Sequence, residues 1–223
     1  MEILLDTANA ALIELYCNIY NITGVTSNPT IIAKEKAEFF PTLLRIREII
    51  GSRQLHVQVT APDREGMLKE AAAIVRVLGK ETYIKVPTNE VGLGVMRQLK
   101  EEGYFVTATA IYSVQQALLA ASVGADYAAP YVNRISNAYG NGVGVVADIA
   151  GLFVTQGVST KILAASFKNT DQITRCILAG SHAVTASPEL YTAMVENPLI
   201  DAAVNQFAAD WTSLYGNKTI DQL

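Results

Sequence analysis

Short apolar runs alternate with amphipathic stretches along this chain. The runs are four to six residues long and rich in aliphatic side chains, a pattern typical of β-strands. Between them, apolar residues recur at helical spacing, as in segments 64–78, 91–102, 113–122 and 171–179. The pattern predicts eight strands, at residues 3–6, 24–27, 55–60, 83–86, 105–109, 127–131, 161–166 and 183–186.

The regular alternation of strand and helix predicts a parallel sheet with helical crossovers. Eight such steps in 223 residues favour an α/β fold with a single closed (β/α)8 TIM barrel. The alternative is an open doubly wound sheet, which commonly carries a strand–GxGxxG–helix unit. The glycine-rich segment 140–144 follows no strand directly, so we predict that it is a flexible loop that opens a helix.

Two segments depart from the eightfold repeat. Pro41 lies in the long second unit and is predicted to mark a break between two short helices. After the eighth unit, residues 201–215 carry one apolar stripe that includes Phe207 and Trp211, which predicts an additional helix. We therefore expect residues 1–223 to form one barrel domain. Residues 198–223 would be a helical extension that packs on a neighbouring subunit or, alternatively, on its own barrel.

Composition and charge exclude several classes of protein. A net charge of −4 and a pI near 5.2 argue against a nucleic-acid partner. No apolar run is long enough to cross a bilayer and the first residues do not resemble a signal peptide, so we expect a cytoplasmic protein that does not bind a membrane. Cys17 and Cys176 are expected to be free thiols. The two histidines are far apart, which leaves no zinc-type spacing and no predicted metal site.

Lys85 is a lone cation in a predicted strand of β-branched residues, TYIKVP at 82–87. A strand of this composition is usually buried, and burying an unpaired ammonium group is costly, so an interior lysine tends to be neutral or paired. A neutral amine is a nucleophile that attacks carbonyl carbons. The residue therefore predicts a Schiff-base enzyme. The alternative is an edge strand whose lysine faces water.

Polar side chains cluster at the predicted carboxyl ends of the strands. In (β/α)8 barrels these ends meet at one face, where active sites lie. Polar groups at seven strand ends are hard to explain as solvated surface, and they favour a shared pocket around Lys85. They are Asp6, Thr26, Ser27, Asn28, Gln58, Lys85, Thr109, Tyr131 and Ser166, with Arg134 following in a loop.

Several of these residues stand in motifs that resemble those of the transaldolase family. The segments GVTSNPTII at 24–32 and IKVPT at 84–88 resemble its first signature and its Schiff-base lysine signature. The segments LDT at 5–7, APYVNR at 129–134 and AASF at 164–167 also fit, in the family's order. The resemblance covers nearly the whole chain. Short members of this family include small transaldolases and fructose-6-phosphate aldolases.

The resemblance implies a role for each predicted site residue. Lys85 would be the nucleophile and Tyr131 the general acid and base. Gln58 and Thr109 would hold a catalytic water, and Asp6 would orient substrate hydroxyls. Asn28, supported by Thr26 and Ser27, would bind the dihydroxyacetone part, while Arg134 and Ser166 would bind the phosphate.

Two positions distinguish the subgroups of the family. Transaldolases carry glutamate where this chain has Gln58 and tend to carry phenylalanine where it has Tyr131, so the pair is similar to that of fructose-6-phosphate aldolases. This implies a class I aldolase that needs no metal or cofactor and acts on sugar phosphates. The alternatives are a small transaldolase and a non-catalytic barrel that binds sugar phosphates. The resemblance also implies a homo-oligomer, a decamer in short members of the family.

His56 and Tyr83 depart from the family pattern, which is apolar at these positions. Because side chains alternate along a strand, His56 shares a face with Gln58, and Tyr83 shares one with Lys85. We therefore predict that both face the barrel interior one layer beneath the active site, where they can hydrogen-bond to each other. The pair would serve packing alone or would tune the electrostatics below Lys85.

Overall fold

A computed structural model describes all residues, 1–223, and shows a closed barrel of eight parallel strands in sequential order, β1 to β8. The predicted (β/α)8 fold is thus confirmed, and the open sheet is excluded. All eight predicted strands are present, with ends that differ by at most two residues. The strands are β1 (Glu2–Asp6), β2 (Gly24–Thr26), β3 (Gln54–Gln58), β4 (Thr82–Pro87), β5 (Phe105–Ile111), β6 (Tyr127–Pro130), β7 (Lys161–Ala164) and β8 (Ala183–Ala186).

Helices connect the strands on the outside of the barrel. Most begin at an Asn, Asp or Ser whose side-chain oxygen accepts a hydrogen bond from a backbone N–H of the first turn, as Asn28, Asp63 and Ser113 do. The helices are α1 (Ala10–Ile19), α2 (Pro29–Glu35), α3 (Phe39–Ile50), α4 (Arg64–Leu78), α5 (Glu90–Glu101), α6 (Val114–Ser122), α7 (Val132–Tyr139), α8 (Gly142–Gln156), α9 (Thr170–Leu178), α10 (Pro188–Val195) and α11 (Pro198–Tyr215).

The core has the two layers that alternation predicts. Outward-facing strand residues, such as Leu55, Val57 and Ile84, are buried against the helices in one large apolar cluster. A second, smaller cluster that includes Leu4 and Leu163 lies apart from it. Polar and aromatic side chains occupy much of the barrel interior. This interior therefore differs from the branched aliphatic layers that usually fill such barrels.

The break in the second unit is not at Pro41, so that prediction was wrong. Helix α2 ends at Lys36, which adopts a left-handed conformation with φ of 52°, and α3 begins at Phe39. Pro41 lies in the first turn of α3, where a helix needs no backbone donor. The segment 140–144 does lead into a helix, as predicted, with Asn141 capping α8.

The chain divides into two compact units, Met1–Tyr191 and Thr192–Leu223. The first contains the whole barrel. The second contains α11, which extends the predicted last helix by three residues at its start, and a short 3-10 turn at Ile220–Gln222.

No single helix is long and apolar enough to cross a membrane. The pair α7 and α8 meets the length and composition criteria only when taken together, with a bend of 115° between its members.

Candidate active site

A cavity of about 330 Å³ opens among the carboxyl ends of the strands, as the strand-end pattern predicts. It draws on β1, β2, β4, β5 and the segments that follow β6, β7 and β8. Eight of the ten predicted site residues line it: Asp6, Thr26, Asn28, Lys85, Thr109, Tyr131, Arg134 and Ser166.

Lys85 lies in the middle of β4 and is only 6% exposed. Its Nζ donates a hydrogen bond to the backbone carbonyl of Ser27 at 2.7 Å. Burial lowers the pKa of the Lys85 ammonium group below its ordinary value, and the nearby Asp6 carboxylate offsets only part of that effect. Burial therefore shifts Lys85 towards the neutral amine, which is the nucleophilic form.

Asp6 ends β1 beside Lys85. Its Oδ1 accepts a hydrogen bond from Thr26 Oγ1 at 2.6 Å, and that hydroxyl also lies 2.7 Å from Thr185 Oγ1. Burial raises the pKa of the Asp6 carboxyl, while Lys85, Thr26 and Arg134 oppose the rise. Burial thus shifts both Lys85 and Asp6 towards their neutral forms, which suits proton exchange within the cavity.

Tyr131 and Thr109 form a hydroxyl pair that also lines the cavity, with 2.9 Å between their oxygens. Burial raises the pKa of the Tyr131 phenol, so it carries its proton near neutral pH. Thr109 stands just before an irregularity in β5, where Ala110 has φ of 57° and the pairing with β6 shifts between Ala108 and Ile111. Such irregularities redirect side chains at barrel rims, here next to Thr109.

Ser27 and Gln58 are the two predicted residues that do not line this cavity. Ser27 is buried and contributes its carbonyl to Lys85 rather than its hydroxyl to the pocket. Gln58 pairs in register with Lys85, but its side chain lines a separate cavity of about 280 Å³ beside Phe39 and Phe40. Its Oε1 is buried without a hydrogen-bond partner. No direct hydrogen bond therefore joins Gln58 to the Thr109–Tyr131 pair.

The mouth of the cavity is basic. The Arg134 guanidinium lies over the Tyr131 ring, 4.7 Å from its centroid, and forms no ion pair. Ser166 has φ of 63°, a conformation that costs a non-glycine residue energy and often marks a functional position. Its carbonyl accepts a hydrogen bond from the Asn133 N–H at 2.9 Å, which holds the strained turn in place.

Two further cations line this mouth, Lys34 and Lys168. The sequence analysis missed Lys34, and for Lys168 the sequence favours a solvated side chain over a place in the phosphate site. Thr30 and Lys34 are four residues apart on α2, so they share one helix face, and both line the cavity. That spacing after the GVTSNPTII motif was the available signal for Lys34. The lining therefore holds four basic side chains and one acidic side chain in a chain whose net charge is −4. Such a concentration of positive charge favours anionic ligands.

The predicted hydrogen bond between His56 and Tyr83 is absent. Their rings stack instead, with centroids 4.4 Å apart and planes 11° from parallel. Both His56 ring nitrogens are already bonded elsewhere, Nδ1 to Thr107 Oγ1 and Nε2 to Gln54 Oε1. In-register neighbours on adjacent strands favour stacking because their side chains project in the same direction.

No three His, Cys, Asp or Glu side chains lie together as a metal site would need.

Residues 3–218 match the family described as Transaldolase/Fructose-6-phosphate aldolase. A relative from Streptococcus pneumoniae (strain ATCC 700669 / Spain 23F-1), described as a probable fructose-6-phosphate aldolase, is 44% identical over 222 residues. The alignment covers 99% of this chain and 100% of the relative. The chain therefore belongs to the transaldolase/fructose-6-phosphate aldolase family.

Proposed function

We propose that this protein is a class I aldolase that reversibly cleaves fructose 6-phosphate to dihydroxyacetone and glyceraldehyde 3-phosphate. One observation carries the proposal: a buried lysine amine shares a cavity with a tyrosine–threonine hydroxyl pair and a basic mouth. The family and the name of the relative from Streptococcus pneumoniae support it.

The reaction begins when Lys85 Nζ attacks the keto carbon of the sugar. Loss of water gives an iminium ion, which draws electrons from the adjacent carbons. The lowered pKa of the Lys85 ammonium group increases the share of the reactive amine form. Asp6, close enough to interact with Lys85, accepts or orients the hydroxyl proton nearest the bond that breaks.

Cleavage of the bond between C3 and C4 follows when the C4 hydroxyl loses its proton. Glyceraldehyde 3-phosphate leaves, and the electron pair of the broken bond forms an enamine of dihydroxyacetone on Lys85. Tyr131 then supplies a proton to C3, directly or through a water held by Thr109. Hydrolysis of the resulting iminium frees dihydroxyacetone and restores the amine.

Substrate binding is assigned to the rim. The Asn28 side-chain oxygen accepts from the Ile31 N–H at 3.0 Å, which leaves its amide nitrogen as a donor for sugar hydroxyls. Arg134 presents a planar fork to the phosphate, and Ser166 adds a hydroxyl. Thr26 and Ser27 keep Asp6 and Lys85 in place.

The second candidate is a transaldolase, which would keep the enamine until an acceptor aldose arrives. The protonated Tyr131 phenol beside the cavity favours release over transfer, because it offers the proton that ends the life of the enamine. Fructose 6-phosphate turnover, measured with and without erythrose 4-phosphate in the presence of a chelator, separates the two. Dihydroxyacetone release without acceptor supports the aldolase. Turnover only with erythrose 4-phosphate would overturn it.

A non-catalytic sugar-phosphate-binding barrel is the third possibility, and borohydride trapping tests it. An active Lys85 becomes covalently modified when a ketose and borohydride are present, and the mass of the Lys85 peptide increases. The Lys85→Met variant is the control. An unmodified wild-type protein that still binds fructose 6-phosphate would reject the Schiff-base mechanism.

We also propose that α11 packs on a neighbouring subunit in a homo-oligomer. All but one of its residues are exposed, including Leu199, Val204, Phe207 and Leu214, each more than half exposed. Deleting the chain from Pro198 onward should shift elution on a sizing column to a smaller species. An unchanged elution volume would reject this packing.

Because sugar phosphates are charged metabolites retained by membranes, we place the reaction in the cytoplasm.

A further inference from the structure

A chain of hydrogen bonds runs through the barrel interior from the strand beside Lys85 to the opposite end of the barrel. Thr107, paired in register with Lys85 on β4, lies 2.8 Å from His56 Nδ1 through its Oγ1. His56 Nε2 lies 3.1 Å from Gln54 Oε1. The Gln54 amide nitrogen donates to Glu2 Oε2 at 3.3 Å and to the Tyr127 hydroxyl at 3.1 Å.

Glu2 fixes the direction of every bond in this chain. A carboxylate only accepts hydrogen bonds, so Gln54 must turn its NH₂ group towards Glu2 and its oxygen towards His56. His56 Nε2 therefore carries hydrogen. Because burial holds the pKa of the imidazolium well below its ordinary value and the Lys85 charge lowers it further, the ring is neutral and Nδ1 is bare. Thr107 must then donate its only hydroxyl proton to Nδ1.

The charged and titratable groups around the chain support this arrangement. Glu2 also accepts hydrogen bonds from Tyr127 and from Lys161 Nζ, the latter at 2.6 Å. Tyr83 stacks on His56, and Tyr127 meets it edge-on. Lys85 is the charge that acts on His56 from the cavity side, with Asp6 beyond it. Every proton in this hydrogen-bonded chain thus points towards Glu2. The Thr107 hydroxyl, on the in-register neighbour of Lys85, has only oxygen lone pairs left to offer to other groups.

We propose that His56 is a positioning residue for the Lys85 reaction. By accepting the Thr107 hydroxyl proton, His56 leaves only the oxygen lone pairs of that hydroxyl available to Lys85. An oriented dipole with its negative end near a developing cation stabilises that cation. The iminium on Lys85 is such a cation. The inference rests on the proposed Schiff-base function.

This hydrogen-bonded chain is not a proton relay, because the Gln54 amide does not pass protons from one end to the other. A purely structural role would also use these bonds, since buried polar groups need partners. The two roles differ in what they do to the iminium. A structural role affects folding stability, whereas the positioning role also changes imine formation and its pH dependence.

The arrangement of protons can be measured without any activity. The protein has only two histidines, so selective ¹⁵N labelling gives the NMR signals of two imidazole rings. A His182→Asn variant assigns them. We expect His56 to stay neutral with hydrogen on Nε2 from about pH 5 to pH 8, the range in which an ordinary histidine titrates. Hydrogen on Nδ1, or titration of His56 in that range, would overturn the inference.

The catalytic consequence is tested with Thr107→Val, which removes the hydroxyl while keeping the shape of the side chain. Trapping by borohydride should slow about threefold to tenfold, and its rise with pH should move to lower pH, since the ammonium form of Lys85 also loses the dipole. Thr107→Ser should restore both. His56→Phe should act like Thr107→Val.

Thr82→Val is the matched control. Thr82 is also fully buried on a strand, but its hydroxyl donates to the Leu78 carbonyl and is not part of the hydrogen-bonded chain from Thr107 to Glu2. Glu2→Gln, at the far end, should reproduce part of the Thr107→Val effect, whereas Lys161→Met, which keeps the carboxylate, should not.

The outcomes separate this inference from the proposed function. If the wild-type protein is not trapped at all, the Schiff-base proposal fails. If it is trapped, and Thr107→Val matches Thr82→Val in rate and pH profile, His56 has only a structural role and the inference fails.

Discussion

The two polar layers inside the barrel differ in how many hydrogen-bond and ion-pair partners their groups have. In the layer at the cavity, the Lys85 amine has one protein partner, a backbone carbonyl, and Arg134 has no ion pair. In the layer beneath, Glu2, Gln54 and His56 are joined in one hydrogen-bonded chain. Lys85 and His56 are both buried, but Lys85 has one hydrogen-bond partner and His56 has two. A buried group with few partners, such as Lys85, is free to react, whereas groups joined in a network hold the scaffold.

Backbone strain follows the same division. Ala110 and Ser166, two of the three non-glycine residues with positive φ, lie at the ends of strands next to the cavity. Each such conformation costs about 1 kcal/mol or more, so the cavity end is the less stable end of the barrel. We therefore expect substitutions at the cavity to cost activity more than stability and those beneath it to cost stability.

The largest effect should come from replacing Lys85 and Asp6 together, two cavity groups whose charges interact. Lys85→Met combined with Asp6→Asn should abolish turnover and trapping, because the nucleophile is gone. The same change should raise the free energy of unfolding at pH 7 by about 1–3 kcal/mol, since two buried charges no longer need to be desolvated. Thermal and denaturant unfolding measure this. The single variant Lys85→Met, which leaves Asp6 without its cation, should gain less. A less stable double variant would contradict the comparison.

Tyr131→Phe should have the next largest effect. Dihydroxyacetone release from fructose 6-phosphate should fall about a hundredfold, the usual size of a lost general acid. Transfer to erythrose 4-phosphate should fall less, and adding Gln58→Glu should increase it relative to release. Tyr112→Phe is the control, because Tyr112 meets the Tyr131 ring edge-on without bonding its hydroxyl. Equal losses of release and transfer would argue against Tyr131 as the proton donor.

In the lower layer, Tyr127→Phe should reduce stability by about 1–2 kcal/mol at pH 7, because Glu2 loses a hydrogen bond. Burial raises the pKa of Glu2, but hydrogen bonds from Lys161, Tyr127 and Gln54 outweigh it, so the net pKa lies below its ordinary value of 4.5. A depressed pKa contributes stability above the unfolded value that is lost as pH falls through the folded value. The Tyr127→Phe penalty should therefore shrink below about pH 4. A penalty that does not change with pH would exclude the carboxylate as its cause.

The smallest effect should come from Lys34→Ala at the cavity mouth. The KM for a phosphorylated substrate should rise about twofold to fivefold and depend less on salt, whereas the KM for unphosphorylated glyceraldehyde in the synthetic direction should not change. Lys36→Asn is the matched control. It removes a cation two residues further along that does not line the cavity, and asparagine tolerates the positive φ there. Equal effects from the two variants would show that only overall charge matters.

The sequence by itself determined the barrel and most of its site. Apolar periodicity is a local property, and eight alternating units leave few other ways to bury their faces. Parallel strands also end at one face, so polar residues such as Asp6, Lys85 and Thr109 were brought together by topology alone. The same pattern included Tyr131 and Arg134, which lie just beyond the end of β6, and the family motifs implied their roles.

Only the tertiary structure decided which partner each side chain takes. Alternation places His56 and Gln58 on the inner face of β3, but it does not say which atoms lie opposite them on other strands. His56 therefore bonds Thr107 and Gln54 instead of Tyr83, and Gln58 Oε1 is left without a partner. Lys34 reaches the cavity only because α2 is turned towards it. Partner choice depends on distances across the barrel, which its closure and stagger determine and no local pattern encodes.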